Sequence, residues 1–381
     1  QISWLKAFDI ILTKLKQSNN NVTGVVGSQC DMESAFLLKT LLSLFGKAKV
    51  SGVNKNLLTN IDFEYLYKFN TKISNIEMAD SCLLIGVDPR KEAAIVNLHL
   101  RKHYVNEGFK IASIGSFLNL TYPCTHLGST SNDVLSLTQG QHDFCKVLRK
   151  SKRPLIIFGT NFLDLFTENT ARLIIDFIAH NTKVVSKDWN GINFLGAQAS
   201  QVGCAEIGLS SDTQSDKKSF IYAIGDATIE KKDETCFVVY QGHQGNSNAL
   251  KADLILPGSA YTEKEATFIN IEGRAQKTQK VLLAPGKAKE DSAILSTIIQ
   301  LVNEDVSIVN SKFTEIESFN TTKTNFFKKD LSSKFSFGKV QNEFLIASSV
   351  NNFYLADPIS KASPTMTKCS KQLLSKNPFV I

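Results

Sequence analysis

The sequence lacks clustered cysteines. Cys30, Cys82, Cys124, Cys145, Cys204, Cys236 and Cys369 are never closer together than 21 residues. Zinc and iron-sulfur centres draw their ligands from short-spaced motifs that local turns aim at one point, and no such motif occurs here. A scattered set of seven predicts reduced thiols buried one by one rather than a disulfide framework. Arginine is also scarce, at six residues (90, 101, 149, 153, 172 and 274) against 37 lysines. Lys, Asn, Ile and Phe are the residues an AT-rich coding sequence over-supplies, so the formal net charge of +7 does not by itself argue for an anion-binding surface. The lysine pairs 217/218, 231/232 and 328/329 lie in predicted loops beside acidic or hydroxyl residues. With no aromatic-basic signature next to them, a nucleic-acid partner is not expected.

Long apolar runs are missing as well. The longest stretch free of formal charge, Ile111 to Asn132, contains Pro123 and His126, and a bilayer span needs about 20 predominantly apolar residues. No direct membrane span is therefore expected. The opening QISWLKAFDIILTKLK reads as an amphipathic helix with Trp4, Ala7, Phe8 and Ile11 on one face. It does not resemble a secretory leader, and either the true N-terminus is missing or the chain is one piece of a larger protein.

What the sequence does contain is a series of short, continuous apolar runs: 22–27, 81–89, 109–115, 154–159, 183–186, 219–227, 236–242 and 253–258. Helical patterns intervene, notably Asp31 to Phe45 and Ala93 to Asn106. Runs of this kind, without alternation, are buried on both faces, as parallel strands with crossover helices are. The expected fold is α/β: two doubly wound, mainly parallel-sheet lobes at 1–140 and 141–303, followed by an irregular extension and tail at 304–381.

Such a fold invites a search for a nucleotide site. The segment TGVVGSQC offers only Gly24 and Gly27, so the dinucleotide fingerprint is absent. GKAK (46–49) and PGKAKED (285–291) carry lysine without a phosphate loop and read as solvated surface. His99 and His103 share a helix face, but Arg101 and Lys102 between them would repel a metal ion. His243, Asp188 and Asp226 are single polar residues at strand ends, where open α/β sheets place ligands; none forms a recognisable catalytic set.

The most informative segment is ADLILPGSAYTEKEATFINIEGRAQKT, 252–278. Read from its residues, it is a structural knot in which Glu263 and Glu272 would pair with Arg274. Its order of an acidic residue, an LPG turn, a Glu and N-x-E-G-R resembles the molybdopterin oxidoreductase superfamily. Together with ADSCLLIGVDPRKEAAIVNLHLRK (79–102), CFVVYQGHQG (236–245) and DPISKASPTMTKC (357–369), it is similar to the large iron-sulfur subunit family of mitochondrial respiratory complex I. That resemblance implies a structural signature at Asp253, Pro257, Gly258, Tyr261, Glu263, Asn270, Glu272, Gly273 and Arg274. It implies a non-catalytic part of an NADH:ubiquinone oxidoreductase, in the peripheral arm on the matrix side of the mitochondrial inner membrane. No catalytic residue and no bound cofactor or metal are expected on this chain. Iron-sulfur clusters and FMN belong, on this reading, to partner chains: a cluster-bearing region and a flavin-bearing subunit. The alternative is a subunit that binds a molybdopterin.

Overall fold

The computed structural model describes residues 1–18, 21–45, 49–51, 66–166, 168–196, 198–209, 219–226, 229, 235–245, 247–302 and 352–374. Its strands are β1 (Val22–Val26), β2 (Lys49–Ser51), β3 (Ser81–Ile85), β4 (Lys110–Ile114), β5 (Thr125–Gly128), β6 (Pro154–Gly159), β7 (Ile192–Leu195), β8 (Phe220–Ile224), β9 (Phe237–Gly242), β10 (Leu254–Pro257), β11 (Thr267–Ile269) and β12 (Ala275–Lys277). Ten of them form two five-stranded sheets, every pairing parallel, and β11 and β12 form an antiparallel hairpin. The α/β class with mainly parallel sheets is as expected, and its cause is visible in the burial: every residue of β3, β6 and β8 is buried, so both faces of each sheet are covered.

The chain is divided differently from the expected 1–140 and 141–303. One unit takes the described residues of 1–62 and 198–327, the other those of 63–197 and 328–381. The first sheet runs β10-β9-β8-β1-β2 and the second β5-β4-β3-β6-β7. The whole of the second sheet is thus inserted in sequence between β2 and β8 of the first. Apolar periodicity identifies strands but carries no information on which sheet each one joins. The run 183–186 is likewise not a strand. Val185 makes one isolated bridge to Asn190, and the strand lies at Ile192–Leu195.

Each sheet has a switch point, where the strand order reverses and doubly wound folds place ligands. In the first sheet it lies between β1 and β8, in the second between β3 and β6. The helix Met32–Ser43 leaves the head of β1, capped by Asp31, whose Oδ1 accepts the Ser34 N–H at 2.8 Å. The short helix Pro89–Glu92 leaves β3, capped by Asp88 through the Arg90 N–H at 3.1 Å. Beyond 351 the described residues form a short 3-10 turn and the helices Pro358–Ala362 and Pro364–Leu374. Residues 304–351 of the expected irregular extension lie outside the described residues.

Candidate functional site

The densest polar chemistry lies at the heads of the first sheet's strands. Lys264, almost fully buried, donates from Nζ to Asp31 Oδ2 at 2.5 Å and to Asp291 Oδ2 at 2.6 Å. Asp291 opens the helix Asp291–Val302. Its Oδ1 accepts from Gln241 Nε2 at 2.9 Å, and Gln241 Oε1 in turn accepts the buried Tyr222 hydroxyl at 2.6 Å. The network therefore runs from β8 and β9 to the cap of the helix that follows β1.

Two carboxylates on one ammonium would leave a buried negative charge. Both, however, sit at helix N-termini, where the backbone presents roughly half a positive charge each, which offsets the excess. Burial alone would lower the Lys264 pKa; the facing carboxylates of Asp31 and Asp291 outweigh it and hold the ammonium above its ordinary range. Lys264 is therefore a permanent cation that joins residues 31 and 291 to the segment after the LPG turn. Glu33, one turn into the same helix, accepts the Thr267 N–H at 2.9 Å and fastens β11 as well.

This network explains part of the predicted signature and corrects the rest. Gly258 follows β10 where the Asp291 carboxylate approaches so closely that a Cβ would collide with it. Asp253 Oδ2 accepts the Val238 N–H at 2.8 Å and aligns the start of β10 with β9. Glu263 accepts the Ala260 N–H at 3.0 Å, closing the turn after Pro257 and Gly258. Asn270 Oδ1 accepts the N–H groups of Glu272 at 3.0 Å and Arg274 at 2.8 Å, and Gly273 takes a left-handed φ of 82° at the hairpin tip. Arg274 itself is exposed and makes no ion pair among the described residues. The expected pairing of Glu263 and Glu272 with Arg274 is not formed, because the hairpin turns its guanidinium outward. Tyr261 is also exposed. The buried cation is Lys264, one residue past Glu263, and Asp291, the last residue of a stretch read as solvated, is its partner. The only sequence hint was a helix start at Asp31, and a lysine in a polar turn reads first as surface.

The remaining candidates have local roles. His99 Nδ1 meets Glu77 Oε1 at 2.9 Å while buried His103 Nε2 meets the Ala79 carbonyl at 2.7 Å, so the two imidazoles do not converge. Among the described residues no three His, Cys, Asp or Glu side chains are placed to hold a metal ion. Cys30, Cys82, Cys145, Cys204 and Cys236 are buried; burial pushes the Cys204 thiol up to about 12 and those of Cys30 and Cys82 well above the ordinary thiol range. Cys30, Cys82 and Cys204 are therefore not thiolates ready to bind a metal. His243 lies beyond β9 with a buried Nε2 that has no hydrogen-bond partner among the described residues. Burial lowers its pKa, against the pull of Asp291.

A pterin dinucleotide, the cofactor the superfamily resemblance raises, carries a pyrophosphate and needs free N–H groups at a strand head. Here two of those groups, the N–H groups of Ser28 and Ser34, are taken by carboxylates. Asp226, at the head of β8, accepts from Ser28 N at 2.6 Å and Ser28 Oγ at 2.5 Å across the switch point, and Asp31 occupies the adjacent helix start. In the second sheet Asp88 caps the helix after β3, and a Cβ on Gly159 would collide with the Gly86 carbonyl, so the two loops at the switch point are in contact. An anionic group would have to displace aspartates from both heads. The residues present do not fit it.

Comparison with known proteins adds the following. Residues 1–301 match the family described as molybdopterin oxidoreductase, and residues 316–369 match a family described as the C-terminal region of an NADH-ubiquinone oxidoreductase component. The chain is 36% identical to the NADH-ubiquinone oxidoreductase 75 kDa subunit of Reclinomonas americana, covering 97% of this chain and 58% of that protein. It is 32% identical to the mitochondrial NADH dehydrogenase [ubiquinone] iron-sulfur protein 1 of Solanum tuberosum, covering 98% and 52%. The chain thus spans little more than half the length of these relatives. Two solved structures share the fold at 11% identity: the formyltransferase/hydrolase complex of Methylorubrum extorquens (TM-score 0.56, 82% of this chain and 98% of that one) and acetylene hydratase from Pelobacter acetylenicus (TM-score 0.53, 84% and 63%).

Proposed function

The chain belongs to the molybdopterin oxidoreductase family, and on that premise we propose that it is a non-catalytic, structural part of NADH:ubiquinone oxidoreductase. In this reading it sits in the peripheral arm on the matrix side of the mitochondrial inner membrane. It supports electron transfer from NADH to ubiquinone by holding and shielding the chains that carry iron-sulfur clusters and FMN, and it binds no cofactor of its own. Similarity to the 75 kDa subunit and to iron-sulfur protein 1 supports the assignment to that enzyme. Among the described residues no helix is long and apolar enough to cross a membrane.

The observation that carries the structural role is the strand-head chemistry. Asp31 and Asp226 hold the N–H groups that an anionic cofactor would need, and Lys264 spends its charge on Asp31 and Asp291 instead of on a ligand. What remains is a lobe whose polar groups hold its own loops together.

The test is to isolate the assembly through a tag on this chain and to analyse its metals, pterin and flavin. Iron and FMN are expected to follow co-purifying chains and to be lost with them on dissociation, while this chain alone carries no molybdenum, tungsten or pterin. One molybdenum or tungsten atom per chain overturns the structural reading. Failure to co-purify any chain with clustered cysteines overturns the assignment to this enzyme.

A further inference from the structure

Two open clefts lie side by side near the starts of strands in the second unit. One, of about 550 Å³, is bordered by Asp80 ahead of β3, Lys110 at the start of β4, and Lys150 and Ser151 ahead of β6. The other, of about 610 Å³, lies towards β5. Gly108, Phe109, Lys110 and Val147 line both, so the clefts adjoin. The 610 Å³ cleft is the more apolar: Phe109, Ile111 and Phe144 in its walls are buried, and Tyr104 and Val147 beside them are half-buried. A cavity of this size and lining takes a large apolar group.

The charges along the clefts are unequal in what they have left to offer. Every carboxylate in the walls is engaged within the unit. Glu77 accepts from Lys102 Nζ at 2.8 Å and meets His99 Nδ1 at 2.9 Å. Asp80 Oδ2 accepts the N–H groups of Lys152 at 2.5 Å and Arg153 at 3.1 Å. Asp143 pairs with Lys146 at 2.9 Å, and Glu107 Oε2 stands 3.9 Å from His103 Nδ1. Lys110 and Lys150, by contrast, are exposed and have no ion-pair partner among the described residues. The backbone adds a third feature. β5, which lines the 610 Å³ cleft through Thr125, His126 and Leu127, is the end strand of its sheet and pairs with β4 alone. Edge strands of this kind accept extended peptides.

We propose that the paired clefts take an extended acidic segment of a partner chain, with an apolar side chain seated among Tyr104, Phe109 and Phe144 and carboxylates meeting Lys110 and Lys150. The proposal rests on the structural role given above and names the chemistry of one partner. An extended chain advances about 3.3 Å per residue, so a short segment puts successive side chains into both clefts. A compact aromatic acid would fill the apolar cleft and leave Lys150, which lines only the other one, unmatched.

The experiment uses the assembly isolated through a tag on this chain. Zero-length carbodiimide coupling, read by mass spectrometry of the joined peptides, should link Lys110 or Lys150 to an Asp or Glu of a partner chain. Replacing both lysines, Lys110→Glu with Lys150→Glu, should weaken retention of that chain roughly tenfold or more, since like charges then face each other, and the loss should be larger at low salt. Thr125→Trp, which plugs the apolar cleft from an exposed position without altering charge, should weaken retention as well. Lys183→Glu, at an exposed lysine of the same unit outside both clefts, should not. Each variant is first melted to confirm that its unfolding midpoint matches that of the parent. Parent-like retention in the double lysine variant or in Thr125→Trp, an equal loss in Lys183→Glu, or no coupling at either lysine overturns the peptide site while leaving the structural role intact. Absence of partner chains from the parent overturns the structural role, and the peptide site with it. The site is also overturned if its occupant proves to be a second copy of this chain, seen as a dimer lost in the double variant, or a small aromatic acid released when the assembly is denatured.

Discussion

The two α/β units carry sheets of the same size and the same parallel pairing, yet they secure their polar interiors in different ways. The first relies on charge: one ammonium between two carboxylates drawn from positions 31, 264 and 291. The second relies on neutral groups. Asn193, fully buried on edge strand β7, accepts the Thr71 N–H at 2.7 Å and donates to Thr71 Oγ1 at 3.1 Å and to the Gly191 carbonyl at 3.0 Å. The hydroxyls of Ser81 and Ser151 meet at 2.8 Å across the starts of β3 and β6. A neutral bond lost leaves an unpaired dipole, whereas a cation lost leaves two buried anions facing each other. The charged fastening joins distant parts of the chain at the risk of a steeper failure when one member is missing.

That contrast can be broken most directly at Lys264. Lys264→Met is expected to cost about 3–5 kcal/mol, the usual penalty for stranding buried charge, measured as a drop in the denaturant midpoint. If Asp31→Asn and Asp291→Asn are added to Lys264→Met, much of the loss should return. No recovery in the triple variant would mean that the ionic character of the network is not what the single change exposes. Asn193→Ala in the second unit should cost about 1–3 kcal/mol, from the Thr71 N–H left without its acceptor; a loss as large as that at Lys264 would erase the distinction between the two units. Gly258→Ala should cost about 1–3 kcal/mol by pressing a methyl group onto the Asp291 carboxylate, and it should cost less in a background where Asp291 is already replaced, which a double-mutant cycle would measure.

Acid sharpens the contrast further. His243 faces Asp291, Lys264, Glu263 and Asp226, and burial lowers its pKa from the ordinary 6.5. The unfolded chain therefore takes up a proton before the folded one does. The stability that the neutral imidazole contributes is present above pH 6.5 and declines as the pH falls below that value towards the folded-state pKa. His243→Gln should flatten this part of the pH profile. An unaltered profile would place the acid sensitivity elsewhere. The smallest effect is expected at Arg274: Arg274→Ala should change stability by no more than about 0.5 kcal/mol, as exposed substitutions do, which separates its role from that of Lys264 although both lie in the segment 252–278.

Much of this was legible in the sequence. The strands stood out because β3, β6, β8 and β9 are continuous apolar runs closed by glycine or a polar turn, and the α/β class followed from their alternation with helical patterns. The Asn270–Gly273 turn could be read from its residue types, because an Asn carbonyl and a left-handed glycine act over four positions. Which sheet each strand joins could not be read, since β1 pairs with both β2 and β8 and nothing local distinguishes its near neighbour in sequence from its distant one. Lys264 was hidden for the same reason: its partners are 233 and 27 residues away, and burial of a lysine is decided by what packs over it. Arg274 was misjudged in the opposite direction, a guanidinium next to glutamates in sequence that the hairpin turns towards solvent.

The insertion of one sheet between β2 and β8 of the other imposes an order on synthesis. At a ribosomal pace of about 5–20 residues per second, Asp31 emerges on the order of tens of seconds before the lysine that will neutralise it, 233 residues later. Once residue 195 has emerged, all five strands of the second sheet have left the ribosome, while β1 and β2 still lack β8, β9 and β10. The inserted sheet can therefore mature first, with the earlier half of its host kept waiting as an open pair of strands. The nascent chain should be most open to capture by chaperones, or to mispairing along the bare edge of β1, between the emergence of residue 51 and that of residue 224.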